Sequence, residues 1–196
     1  MLKTTLFLAV AGLCIIGIQS RPAVDPRLVP LVDTFKTATK LVGAVIKGEL
    51  SDKEIDSLKK ATRIMVDSSK SDAYKIRALK AIAKKHKGST TGNKLVKMEL
   101  KEMRKLVYLF SKETYNEASP GVKDFIDAMS DFRMNFYEII EKPDAELDKE
   151  ISKIFAGLTV EDFEELGMLK KTHKKKTDRI KKKKTSRRLG WKRRSM

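Results

Sequence analysis

The sequence predicts an all-α protein, a compact bundle of about seven helices followed by a basic C-terminal tail. Three observations predict it. Apolar residues recur at intervals of three and four through most of residues 30–169. No stretch shows the sustained alternation of apolar and polar residues that a half-buried strand needs. The prolines, Pro22, Pro26, Pro30, Pro120 and Pro143, flank or precede the periodic runs and interrupt none of them.

Pro22, Pro26 and Pro30 mark an irregular lead-in. The first predicted helix then places Leu31, Phe35, Ala38, Leu41, Val42, Val45 and Ile46 on its inner face and ends at Gly48. Ser51 and Glu54 have the spacing of a capping box, opening a second helix with Ile55, Leu58, Ala61, Met65 and Val66 inward. Ser71-Asp72 starts a third, carrying Ile76, Leu79, Ile82 and Ala83, and its end at Lys85-His86-Lys87 puts basic residues at the negative pole of the helix. After a polar loop, the longest run extends from Lys94 to about Ala118, with Leu95, Met98, Met103, Leu106, Val107, Leu109 and Phe110 inward. Ser119-Pro120 is a cap with proline at the first helical position, and Val122, Phe125, Ile126, Met129, Phe132, Phe136 and Ile140 follow at helical spacing. Pro143-Asp144 opens a short helix ended by Gly157, and Thr159 with Asp162 caps a last one ended by Gly167.

The ends of the chain have different chemistry from this body. Lys3 is followed by an apolar stretch from Leu6 to Ile18 and by small Ser20, the pattern of a cleavable secretory signal over residues 1–20. That apolar stretch is too short to cross a bilayer, which takes roughly 20 residues. The only cysteine, Cys14, falls within the signal, so the exported chain has no thiol for a disulfide, a cysteine nucleophile or a thiolate metal site. Residues 170–196 hold fifteen Lys and Arg against one Asp, a net +14 of the chain's +17, which leaves +3 for residues 1–169. The expected organisation is therefore a signal (1–20), a nearly neutral helical domain (21–169) and a basic tail (170–196) that is disordered on its own.

Catalytic signatures are missing from the sequence. His86 and His173 have neither a metal-ligand spacing nor an accompanying carboxylate pattern, and there is no phosphate-binding glycine loop, serine elbow or calcium loop. The expectation is a protein that is not an enzyme and needs no metal or cofactor. Phenylalanines and methionines concentrate between Met98 and Phe155. They serve either as an ordinary core or as the wall of a pocket for an apolar ligand. Arg133 stands inside the apolar stripe, four residues after Met129 and three before Phe136. Either its stem covers apolar surface while its head reaches water, or its guanidinium meets the carboxylate of an amphipathic ligand. Arg104, between Leu100 and Val107, is a weaker case of the same kind.

Several segments, in order, resemble the secreted fatty acid- and retinol-binding proteins of nematodes. They are Lys47 to Leu58, Ser71 to Lys80, Lys94 to Leu106, Ser119 to Met129, and Leu147 to Leu166, within residues 30–169. The proline-started helix after the longest helix is the nearest local match. The resemblance implies a compact all-helical carrier with an internal apolar cavity, a fatty acid or retinoid as partner, and no catalytic residues. It implies a cavity lining among Phe110, Phe125, Met129, Phe132 and Phe136, and Arg133, singled out by its place in the stripe, would then stand at the mouth. A short final helix and the basic extension depart from the family pattern.

The tail has candidate polyanion contacts in Lys181, Lys182, Lys183, Lys184, Arg187, Arg188 and Arg193, with Trp191 as an interfacial anchor. Anionic glycans or membranes suit an exported protein, and nucleic acid is electrostatically acceptable. The same basic runs also read as a nuclear import signal, as processing sites, or as a solvated tail without a partner. The leading expectation is extracellular transport of fatty acids or retinol. Polyanion binding through the tail is the alternative, and a secreted interaction protein without a small ligand is the third account.

Overall fold

The computed structural model describes residues 25–173, and within them every regular element is helical. A turn of 3-10 helix over Pro26–Leu28 leads into α1 (Val29–Glu49), and α2 (Asp52–Val66), α3 (Asp72–Lys85) and α4 (Thr91–Leu106) follow. The chain then passes through a 3-10 turn (Val107–Phe110), α5 (Lys112–Glu117), α6 (Pro120–Met134), α7 (Phe136–Ile139) and α8 (Asp144–Phe155). Residues 160–173 form α9. No described helix is long and apolar enough to cross a membrane. The expected signal and residues 174–196 lie outside the described residues.

Local chemistry starts α2, α3, α6 and α9 where the sequence placed the starts, while α4 begins earlier than the expected Lys94, at Thr91, because the Thr90 hydroxyl caps it by accepting from Asn93 N–H. The Glu54 carboxylate accepts from the Ser51 backbone N–H (3.0 Å) and from its hydroxyl (2.8 Å), closing the capping box of α2. Ser71 and Ser119 each accept from a backbone N–H three residues on. In α9, Thr159 and Asp162 cap each other reciprocally. Gly157 stops α8 in the left-handed region at φ 82°, where a side chain would be strained.

Two predicted helices are broken. The run from Lys94 to Ala118 divides at Ser111, whose hydroxyl caps α5 by accepting from Thr114 N–H at 3.1 Å. The Phe110 carbonyl freed by this break accepts from Lys75 Nζ at 2.8 Å, and Lys75 is fully buried. A cation at the carbonyl end of a helical turn is favourable, which offsets part of the cost of burying it. The run from Pro120 to Ile140 divides at Asn135, so Phe136 belongs to the short α7. Two ends also move outward. Gly48 lies inside α1, and Gly167 lies inside α9, which runs through the 169/170 boundary drawn on charge. The final helix is therefore longer than expected.

The packing is helix on helix. α2, α3 and α4 pack mutually, α6 packs on α8, and α2 joins the two groups by packing on α6. α1 lies across them with Val32, Phe35, Ala38, Thr39 and Gly43 buried. This corrects its expected inner face, because Leu41 (53% exposed) and Val45 (44%) point outward. At Gly43 the approach is close: a Cβ there would lie 3.3 Å from Ile140 Cβ. The inner stripe of α4 is Val96, Leu100 and Met103, while the expected Met98 is exposed. An aromatic layer fills the centre, with ring centroids 5.4 Å apart for Phe35–Phe155, 5.5 Å for Phe125–Phe155 and 5.7 Å for Phe35–Phe132.

Candidate functional site

One turn of α6 points two ways. Phe132 enters the aromatic layer, and its neighbour Arg133 is buried as well, only 7% exposed. Arg133 faces α4, where Glu99 lies three residues after Val96 and four before Met103, at the margin of the inner stripe. Arg133 Nη1 approaches Glu99 Oε1 at 3.3 Å, long for a charge-assisted bond, which is typically about 2.7–2.9 Å. Arg133 Nε has no hydrogen-bond partner among the described residues, nor has the fully buried Thr39 hydroxyl.

These groups border a small internal recess of about 30 Å³, lined by Thr39, Val42 and Ile46 of α1, Thr62 of α2, Glu99 and Met103 of α4, and Arg133, Phe136 and Tyr137. The space suits about two or three water molecules, each of which needs roughly 10–15 Å³ by this measure. Burial pushes the Glu99 carboxyl up to about 7, although the Arg133 charge draws it down. Burial and the neighbouring Glu99 charge raise the Tyr137 phenol well above its usual range, so it stays a neutral donor. Lys59 Nζ lies 5.7 Å from the Tyr137 ring centre. The recess thus offers a cation, a carboxyl that titrates near neutrality, a phenol and two hydroxyls inside apolar walls. Such a set can bind and orient a polar head group. It contains no nucleophile paired with a base.

Of the residues expected to line a cavity, Arg133 and Phe136 border the recess. Phe110, Phe125, Met129 and Phe132 are buried in the packed core instead. Arg133 does not reach water by its head as a surface-covering arginine would. Arg104 turns back on its own helix, donating to the Leu100 carbonyl at 3.2 Å. His86 is the C-cap of α3, as its setting indicated, and its Nδ1 lies 3.2 Å from Asn93 Oδ1. His173, expected to belong to the tail, is docked on the body. Its Nε2 is 2.6 Å from Asp72 Oδ2, and its ring is 5.7 Å from that of Tyr108. No cluster of three or more His, Cys, Asp or Glu able to hold a metal occurs among the described residues. Lys181, Lys182, Lys183, Lys184, Arg187, Arg188, Trp191 and Arg193 lie outside the described residues.

A second concavity is an open surface groove of about 580 Å³ between α2 and α3, lined by Asp56, Lys59, Lys60, Arg63, Ile64, Asp67, Lys70 and Tyr74. Four cations face two carboxylates there.

Glu99, Thr39, Thr62 and Tyr137 are the site residues that sequence reasoning missed. Glu99 keeps register with Val96 and Met103, but that register marks it only once the helix carrying Arg133 is known to face it. Comparisons with protein-family models, curated proteins and solved structures return no match.

Proposed function

We propose that the helical body is an extracellular carrier, not an enzyme, that takes up a fatty acid or retinoid with the ligand's polar head at Arg133. The observation that carries this reading is a buried guanidinium, incompletely hydrogen-bonded, set in an apolar recess between five helical segments. Burying an ion pair in a core is often no better for stability than apolar packing, so its presence favours a binding role. The resemblance to nematode fatty acid- and retinol-binding proteins supports the same reading.

Ligand pockets generally span roughly 300–1,000 Å³. The recess of about 30 Å³ therefore has to open before a chain can enter. The C-terminal half of α1 is the wall suited to move, since Phe35 holds the N-terminal half in the aromatic layer. It supplies Thr39, Val42 and Ile46 to the recess. Exposed ion pairs, Lys40 with Asp144 (2.8 Å) and Lys47 with Glu141 (3.1 Å), hold its outer side. Exposed pairs of this kind contribute about 0–1 kcal/mol, so they form a weak latch.

Titration of a fluorescent fatty acid into the full chain tests this, with oleate and retinol as competitors. Saturable, displaceable binding is the expected result; a probe that remains free in solution overturns the carrier. The double substitution Gly43→Cys/Ile140→Cys then tests the route, because the Cβ separation of 3.3 Å is close to disulfide range. Oxidation should block uptake and reduction should restore it.

The charge of residues 170–196 favours a second reading, binding of anionic glycans or membranes, to which the groove at Lys59, Lys60, Arg63 and Lys70 adds cations. Heparin or liposome retention that disappears on deleting residues 170–196, with no lipid uptake by the body, would support it over the carrier.

A further inference from the structure

The recess holds one guanidinium and one carboxylate, and an anionic head group arriving at Arg133 would be a second carboxylate or its equivalent. Two anions against one buried cation leave a net negative charge in a space from which water is largely excluded. Like charges at such a distance do not both stay ionised; one takes a proton. The ordinary carboxylate of a bound ligand would share the pocket with Glu99, whose side chain is only 16% exposed and whose contact with Arg133 is the loose 3.3 Å approach already described.

We propose that Glu99 couples this site to a proton: an anionic head group takes the Arg133 guanidinium as Glu99 becomes protonated, so binding is tight under mildly acidic conditions and weakens as pH rises. The gate rests on the carrier reading, and it names the ligand class as amphipathic anions rather than neutral lipids. Protonated Glu99 changes from competitor to donor, since a carboxylic acid O–H can donate to the incoming anion. Arg133 Nε, free among the described residues, supplies a further donor.

The surrounding groups are consistent with Glu99 as the titrating member. Arg133 on α6 supplies the guanidinium that Glu99 faces. Tyr137 on α7 is a phenol pushed further up by burial. Lys59 on α2 lies over the Tyr137 ring. α1 presents only Thr39, Val42 and Ile46, none of which titrates. Glu102, on the same helix as Glu99, adds negative charge and so favours the protonated form of Glu99. Burial already holds the Glu99 carboxyl up at about 7.

Calorimetric titration of the full chain with a long-chain alkyl sulfonate tests the gate, because the sulfonate stays ionised throughout. About 0.5 M salt screens the basic residues of 170–196. With Glu99 titrating at about 7, the dissociation constant should rise about tenfold between pH of about 6 and about 8. Repeating the titration in two buffers of different ionisation enthalpy should report uptake of nearly one proton at the higher pH. The Glu99→Gln protein should bind with neither dependence. The proton count is measured on the unaltered chain, so the test stands even where the variant folds poorly. Binding without proton uptake, or uptake that persists in Glu99→Gln, overturns the gate and leaves the carrier intact. No binding at either pH, together with a fluorescent fatty acid left free, overturns both.

Discussion

Phe132 and Arg133 are consecutive residues of α6, both almost fully buried, and they belong to two differently built regions. On the Phe132 side, Phe35, Phe125 and Phe155 interlock with tilted or edge-on rings, and no polar group has to be satisfied. On the Arg133 side the same helix meets Glu99 across a loose contact, beside two unpartnered polar atoms and a small space. Packing alone explains the first region. The second costs stability through desolvation and incomplete hydrogen bonding, and a bundle of this size could fill it with apolar side chains. The difference teaches that burial by itself does not distinguish core from site. What distinguishes them is whether each buried group has what it needs.

The sharpest way to break the comparison is to remove a ring. Phe155→Ala, at a position 1% exposed and in contact with two other rings, should cost about 3–5 kcal/mol in denaturant unfolding. A loss below about 1 kcal/mol would mean that the aromatic layer is not close-packed. The polar side should respond to pH instead. Glu99 has its pKa raised from 4.5 to about 7 on folding, so the folded protein binds this proton more tightly than the unfolded chain. Its contribution to stability is full below about 4.5, declines as pH rises, and is lost above about 7, with a total on the order of 3 kcal/mol. The capping Glu54 has its pKa lowered by the Ser51 hydrogen bonds and acts in the opposite sense, losing stability as pH falls. Unfolding curves of the wild type and Glu99→Gln across this window separate the two: the decline with rising pH should vanish in the variant.

Much of the fold was legible because helix starts are written in neighbouring residues. Ser51 with Glu54, Ser119 with Pro120 and Thr159 with Asp162 need no tertiary partner to be recognised. The inner face of α6 was legible for a related reason, since its apolar residues keep one helical stripe. α1 was misread because it is apolar on more than one side. Periodicity could not choose between Leu41 and Val45, which face outward, and Val32 and Gly43, which pack inward. The breaks at Ser111 and Asn135 involve no proline or glycine and are compatible with tertiary partners such as Lys75. Arg133 broke its local pattern and could be singled out. Glu99 could not, because a glutamate in a Lys- and Glu-rich helix reads as solvated until the facing helix is known.

The smallest equilibrium effect belongs to the latch between the two regions and solvent. Lys47 and Glu141 are 44% and 62% exposed, and their 3.1 Å pair closes the C-terminal half of α1 over Ile140. Water competes for both charges, so Lys47→Gln should change unfolding stability by less than about 1 kcal/mol, with less effect still at high salt. The pair matters more to α1 than to the bundle. Opening α1 breaks this contact while leaving the packing of α2, α3 and α4 in place. Stopped-flow uptake of the fluorescent fatty acid should therefore be faster in Lys47→Gln, at nearly unchanged stability. A variant that binds at the wild-type rate would place the entrance elsewhere than beneath α1.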